Sequence, residues 1–279
     1  MRRLIGPALL LAATVGAASA ATGAGPKRLF ARAGSVYATV SYVERKPGVE
    51  YTSLRVKIDR EGRTVLDAPI ATAGCRPCGA FKPVALRVRD LDGGEPEVLF
   101  DMYTGGAHCC SALVVFRFDT ASGRYRPTFL DFGNYGYRLV DLNHDGVPEF
   151  SHFDERFVYT FTAYVFSAAP IQISTFRAGR LAHLTRFFPA QVREDAASLW
   201  RTYLKQRDEP DVDMRAYVAA YVADQFLLGR SAEAQRALDL ALRRGDLGTG
   251  KQLLGLPAGK AFVATLLADL RKWGYIRSS

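Results

Sequence analysis

The sequence predicts an α+β protein, with an N-terminal antiparallel β domain of propeller-like repeats and a C-terminal α-helical domain. Three observations carry this expectation. Up to about residue 187, short runs rich in Val, Tyr, Phe and Thr alternate with Gly, Asp, Asn and Pro. Beyond that point apolar residues recur at helical spacing. Within the first part, two acidic loops begin at Asp90 and Asp141, 51 residues apart (141 minus 90). A several-strand unit repeated at such a period is a mark of propeller-like β architecture.

The chain opens with "MRRLIGPALLLAATVGAASA": two arginines, an apolar run from Leu4 to about Val15, then Ala18-Ser19-Ala20. A basic start, a hydrophobic centre and an A-x-A cleavage site make residues 1–20 a secretory signal peptide, and the apolar run is too short for a membrane span. The expected product is secreted, periplasmic or extracellular, beginning near Ala21, with no membrane span after signal removal. The net charge of +9 comes from 37 basic and 28 acidic residues, and losing Arg2 and Arg3 leaves +7. The basic residues are scattered rather than clustered, which describes a solvated surface and not a nucleic-acid footprint. A hydrophobic content of 48% is ample for a core.

Residues 21–187 form the expected β domain. Its strands are read in "SVYATVSYV", "YTSLRVKID", "VALRVRD", "EVLFDMY", "SALVVFRFD", "GYRLVD" and "FVYTFTAYVFS". The segment from Ser35 to Ile70 reads as an earlier, divergent unit without an acidic loop. Residues 188–279 form the expected helical domain. Met214, Tyr217, Val218, Tyr221 and Leu228 make one stripe, Ser231 is placed as the cap of a second helix carrying Ala234, Leu238 and Ala241, and a third stripe runs from Phe262 to Trp273 and stops at Gly274.

The acidic loops carry the chemistry. "DLNHDGVPE" puts Asp141, Asn143 and Asp145 at alternate positions, then Gly146, then Glu149. Like charges crowded this closely repel unless a cation sits among them. Calcium takes six to eight oxygens at about 2.3–2.6 Å, here from those four side chains and the carbonyl of Val147. A helix–loop–helix site needs a bidentate Glu at position 12, but that position is His152 and the flanks are strands. The pattern resembles the FG-GAP/VCBS calcium-binding repeats of propeller blades, whose loop runs D-x-D-x-D-G-x-x-D between strands. The resemblance spans roughly residues 83–180 and rests on the two loops. It implies calcium as the cofactor, bound at Asp141, Asn143, Asp145, Val147 and Glu149. The other loop, "DLDGGEPEV", is one residue short, with Gly94 where the third ligand or the turning glycine belongs, so Asp90, Asp92 and Glu97 make a degenerate second metal loop.

The four cysteines form two close pairs, Cys75/Cys78 and Cys109/Cys110. In an exported chain they read as disulfides, with the favoured cross-links joining the two pairs. "YTGGAHCC" is the one candidate ligand loop: Gly105 and Gly106 permit close backbone approach, and His108 stands beside the cysteines.

No nucleophile or zinc motif is present, and the four histidines lack metal-ligand spacing. The reading is therefore a secreted, calcium-stabilised, non-catalytic binding or scaffold protein recognising an extracytoplasmic protein or glycan. Two alternatives stand beside it. One is an inhibitor or immunity-like protein against an envelope-degrading enzyme. The other is a secreted hydrolase with acidic catalytic residues, for which Asp101, Asp131 and Asp154 are candidates.

Overall fold

The structure, a computed structural model, describes residues 25–46, 48, 50–70, 82–103, 111–248 and 255–277. The expected signal peptide, Cys75, Cys78, Cys109, Cys110, Gly105, Gly106 and His108 lie outside the described residues.

Twelve described strands fall into three four-stranded antiparallel sheets, each made of consecutive strands in sequence order. The first contains β1 (Lys27–Ala33), β2 (Val36–Lys46), β3 (Glu50–Arg60) and β4 (Arg63–Pro69). The second contains β5 (Lys82–Arg89), β6 (Glu97–Tyr103), β7 (Ser111–Asp119) and β8 (Arg124–Asp131). The third contains β9 (Tyr137–Val140), β10 (Glu149–Phe153), β11 (Ile171–Arg177) and β12 (Arg180–His183). The hairpins β3–β4 and β11–β12 turn on Glu61-Gly62 and Ala178-Gly179, both residues of each pair having positive φ. Two such residues in a row twist with the flanking strands, which is why glycine is the second.

The sheets stack through their faces. Val36, Ala38, Val40, Val56 and Ile58 of the first sheet share a core with Val98, Phe100, Met102, Val114 and Phe116 of the second. The alternate side chains of β6 and β7, Leu99, Leu113 and Val115, point the other way and meet Phe150, Phe176, Leu139 and Leu181 of the third. This explains the uninterrupted apolar runs "VLF" (98–100) and "ALVVF" (112–116): a strand buried on both faces has no polar side to alternate with. Fully burying a side chain such as Phe100 contributes about 1.5–3 kcal/mol. No closed ring of sheets is formed by the described residues; the arrangement is an open stack of three meanders.

Four helices follow among the described residues: α1 (Pro189–Gln206), α2 (Arg215–Leu227), α3 (Ser231–Arg244) and α4 (Gly259–Lys272). Ser231 is the first helical residue rather than the cap, a position held by Arg230 without a side-chain hydrogen bond. Gly274 ends the last helix at φ +82° as the stripe requires. The strand expected in "FVYTFTAYVFS" is replaced by two single 3-10 turns, Glu155–Phe157 and Tyr164–Phe166. Phe157 and Phe161 leave the sheets and enter the helical core with Leu199, Tyr203, Val218, Phe262 and Leu266.

Several polar links join strands to helices. Tyr275 donates its hydroxyl to Asp154 at 2.8 Å, and the Ile171 N–H donates to Asp195 of α1 at 2.9 Å. Arg186, after β12, donates to the carbonyls of Phe226, Leu227, Gly274 and Tyr275, tying together the C-terminal ends of α2 and α4.

Candidate functional site

Both acidic loops occupy the same place in their repeats, the connection between first and second strands. Residues 90–96 join β5 to β6, and residues 141–148 join β9 to β10. The first sheet has only a tight turn there, at Gly34 and Ser35. A Cβ on Gly93 would lie 3.8 Å from the Val147 side chain, so the two loops are neighbours.

In the first loop, Asp90 Oδ1 accepts from the N–H groups of Asp92 (3.0 Å), Gly93 (2.7 Å) and Gly94 (3.1 Å). Glu97, fully buried at the start of β6, accepts from the Leu91 N–H at 2.9 Å. Oxygens of Asp90, Asp92 and Glu97 all lie within 4.8 Å of one another, an arrangement able to hold a metal ion. The other Glu97 oxygen, Oε1, is buried without a hydrogen-bond partner. Burial, reinforced by the neighbouring Asp92 and Asp90 carboxylates, pushes Glu97 up to about 7.

The second loop uses its side chains more as turn acceptors. Asp141 accepts from the N–H groups of Asp145 (3.1 Å) and Gly146 (3.0 Å), with Gly146 at φ +90°. Asp145 accepts from the Val147 N–H at 2.8 Å and the Asn143 amide at 2.9 Å, the former first among the causes that lower its pKa. Glu149 is buried and accepts from the Leu142 N–H at 2.8 Å, as Glu97 does from Leu91. The predicted ligands are thus on one loop, but their carboxylates are not gathered as tightly as those of Asp90, Asp92 and Glu97.

The two loops differ in what faces their buried glutamate. Val98 pairs with Phe116, and one step further along that register Arg117 stands opposite Glu97. Its Nε lies 3.0 Å from Asp92 and 4.0 Å from Glu97. Phe150 pairs with Ser174, so the same step places Thr175 opposite Glu149. The first loop therefore carries its own countercharge, while the second has a neutral hydroxyl residue at the matching position. Only cross-strand register brings Arg117 to the loop, 20 residues after Glu97 (117 minus 97), and no local motif announces it.

The acidic residues considered for hydrolysis each have structural partners. Asp101 accepts from Arg87 at 2.7 Å and Tyr137 at 2.5 Å; Asp131 accepts from the Gly133 N–H at 2.9 Å; Asp154 binds Arg156 and Tyr275. Sequence reading also missed a polar chain in the third sheet, where Ser174 Oγ lies 3.1 Å from His152 Nε2 and 3.0 Å from His183 Nδ1. Burial lowers His152 to about 4, so it is neutral at ordinary pH. His144 is exposed on the second loop at φ +62°.

No family model and no solved structure matches the chain. Curated relatives include a probable thylakoid lumen protein of Synechocystis sp., 36% identical over 174 residues, covering 60% of this chain and 51% of that protein. Another is an uncharacterised protein of Sinorhizobium fredii, 32% identical over 142 residues, covering 50% of this chain and 22% of its own length. The chain spans about half the length of the first relative and about a fifth of the second.

Proposed function

We propose that the protein is an extracytoplasmic, non-catalytic binding protein whose repeat loops are stabilised by calcium, with the β9–β10 loop as the calcium site. Export is supported by the signal-like residues 1–20 and by the relative described as a probable thylakoid lumen protein. Among the described residues no helix is long and apolar enough to cross a membrane. The observation that carries the calcium reading is the contrast between Arg117 and Thr175 at matched register positions. A guanidinium offsets the carboxylates of the first loop. The second loop has Asp141, Asp145 and Glu149 with only the more distant attraction of Arg177 on Asp145. A divalent ion supplies the missing charge there, and the loop oxygens are of the hard type calcium prefers.

Thermal melting in calcium against chelator tests this. An ion at a hundredfold excess over Kd stabilises by about 2.7 kcal/mol, or roughly 5–10 °C for a chain of this size. Asp145→Ala should abolish the difference. Arg117→Thr should enlarge it, because the Asp90, Asp92 and Glu97 cluster then needs an ion as well. Equal melting of the wild type in both buffers would remove calcium from the account.

A further inference from the structure

The turn before β9 presents a tyrosine between two clefts that the loop chemistry does not use. One cleft, of 400 Å³, is lined by Arg87, Asp101, Tyr103 and Tyr137; the other, of 530 Å³, by Arg138, Gln191, Glu194 and Ser198, and Tyr135, Gly136 and Tyr137 line both. Each has the size of a small-ligand cleft, about 300–1,000 Å³. We propose that these two clefts, adjoining through Tyr135, Gly136 and Tyr137, together bind a neutral oligosaccharide, with Tyr135 as the stacking platform between them. The inference rests on the reading of the chain as a binding protein and gives that protein its ligand class.

The turn is built before any ligand arrives. Glu155 accepts from the Asn134 N–H (2.8 Å), the Asn134 side-chain amide (2.7 Å) and the Tyr135 N–H (3.2 Å). The Ser111 N–H donates to the Gly133 carbonyl at 2.9 Å, and the Gly136 N–H to Phe132 at 3.1 Å. Gly133 and Gly136 both have positive φ, and a Cβ on Gly133 would collide with the Glu155 carboxyl. Tyr135 leans on Phe153, ring centroids 5.1 Å apart, yet keeps 42% of its surface exposed. A ring held by Phe153 along its side and by the Ser167 carbonyl at its hydroxyl (3.3 Å) loses little freedom on binding.

The chemistry around the ring selects the class. A sugar ring offers a flat C–H face for an aromatic surface and an edge of hydroxyls that both donate and accept. The groove supplies both: Tyr103 and Tyr135 are exposed rings, while Arg87 and Asp101 form a donor–acceptor pair at 2.7 Å on one side, with the Gln191 amide and Ser198 hydroxyl on the other. Arg87 is paired with Asp101 on one side, and Arg138, Glu194 and Asp195 line the other, so the clefts hold no basic surplus that would favour a polyanion.

The experiment uses the full chain and measures tyrosine fluorescence and gel retardation with cellohexaose, chitohexaose and maltohexaose, and with an unstructured neutral hexapeptide. Saturable binding of at least one hexasaccharide is expected. Tyr135→Ala should weaken it by about tenfold or more, Tyr135→Trp should retain it, and Tyr37→Ala, on the first sheet, should leave it unchanged. Each variant is checked by its melting curve, so that misfolding is not mistaken for lost binding. Absence of saturable binding to all three saccharides overturns the proposal, as does binding of the peptide alone or equal affinity of wild type and Tyr135→Ala. A calcium-dependent melt without saccharide binding removes only the groove. Saccharide binding with a calcium-insensitive melt removes only the ion.

Discussion

Asp224 sits fully buried on α2 near Asp195 of α1, where an ionised carboxylate is costly. Burial first, then the adjacent Asp195, holds its proton well above the usual carboxylate range, and burial raises Asp195 in the same direction. The folded protein thus retains a proton that the unfolded chain releases near pH 4, about the ordinary Asp value. Stability from the protonated pair is complete below that range and is lost as pH rises through the folded value. Asp224→Asn, which needs no proton, should be more stable than the wild type by about 1–3 kcal/mol at neutral pH. Melting temperatures of the two proteins measured from acid to neutral pH should converge at the acid end. A constant gap, or a wild type that gains on the variant as pH rises, would refute the shared-proton account.

At the scale of elements, the segment between β10 and β11 shows most clearly how tertiary context overrides pattern. "FVYTFTAYVFS" has the composition of a strand, but Phe157 and Phe161 are four residues apart, as on one helix face, and both are taken by the helical core. Tyr159 between them has φ +62°, which no regular strand permits. Phe157 contacts Phe161, Trp273 and Tyr275 with ring centroids 5.1–5.7 Å apart. Phe157→Ala should therefore cost about 3–5 kcal/mol, read as a loss of helical signal at lower denaturant concentration. A loss below 1 kcal/mol, well short of a buried aromatic's ordinary contribution, would show that the segment is peripheral. The acidic loops were legible because their residues sit within nine positions of sequence, and β6 and β7 because their apolar runs are unbroken. Strand β8, with Arg124, Arg126 and Pro127 among its residues, carried no such run and was not read as a strand. Helix α1 was less so: Val192, Ala196, Leu199 and Tyr203 keep helical spacing, but no side-chain cap marks its start. Arg117 and the Tyr135 groove come from register and stacking, which local patterns do not encode.

Across the whole molecule, the change from strands to helices near residue 188 separates secondary structure more sharply than it separates cores. Phe157, Phe161, Ala168 and Ala169 lie before it and pack with the helices, while Arg186 reaches four carbonyls beyond it. The intact chain should therefore melt with the β and helical signals moving together, and a fragment ending at residue 187 should aggregate through its uncovered aromatics. Two separate transitions, together with a soluble and folded fragment, would show that the junction contributes little. The order of strands also governs how the chain reaches this state. Every described sheet pairs only neighbours in sequence, so no strand waits for a distant segment before it can zip up. Folding speed falls as partners become more remote along the chain. In stopped-flow refolding, the sheets should consequently form within about milliseconds, the fast end for β proteins, with stacking and helix docking as the later phase.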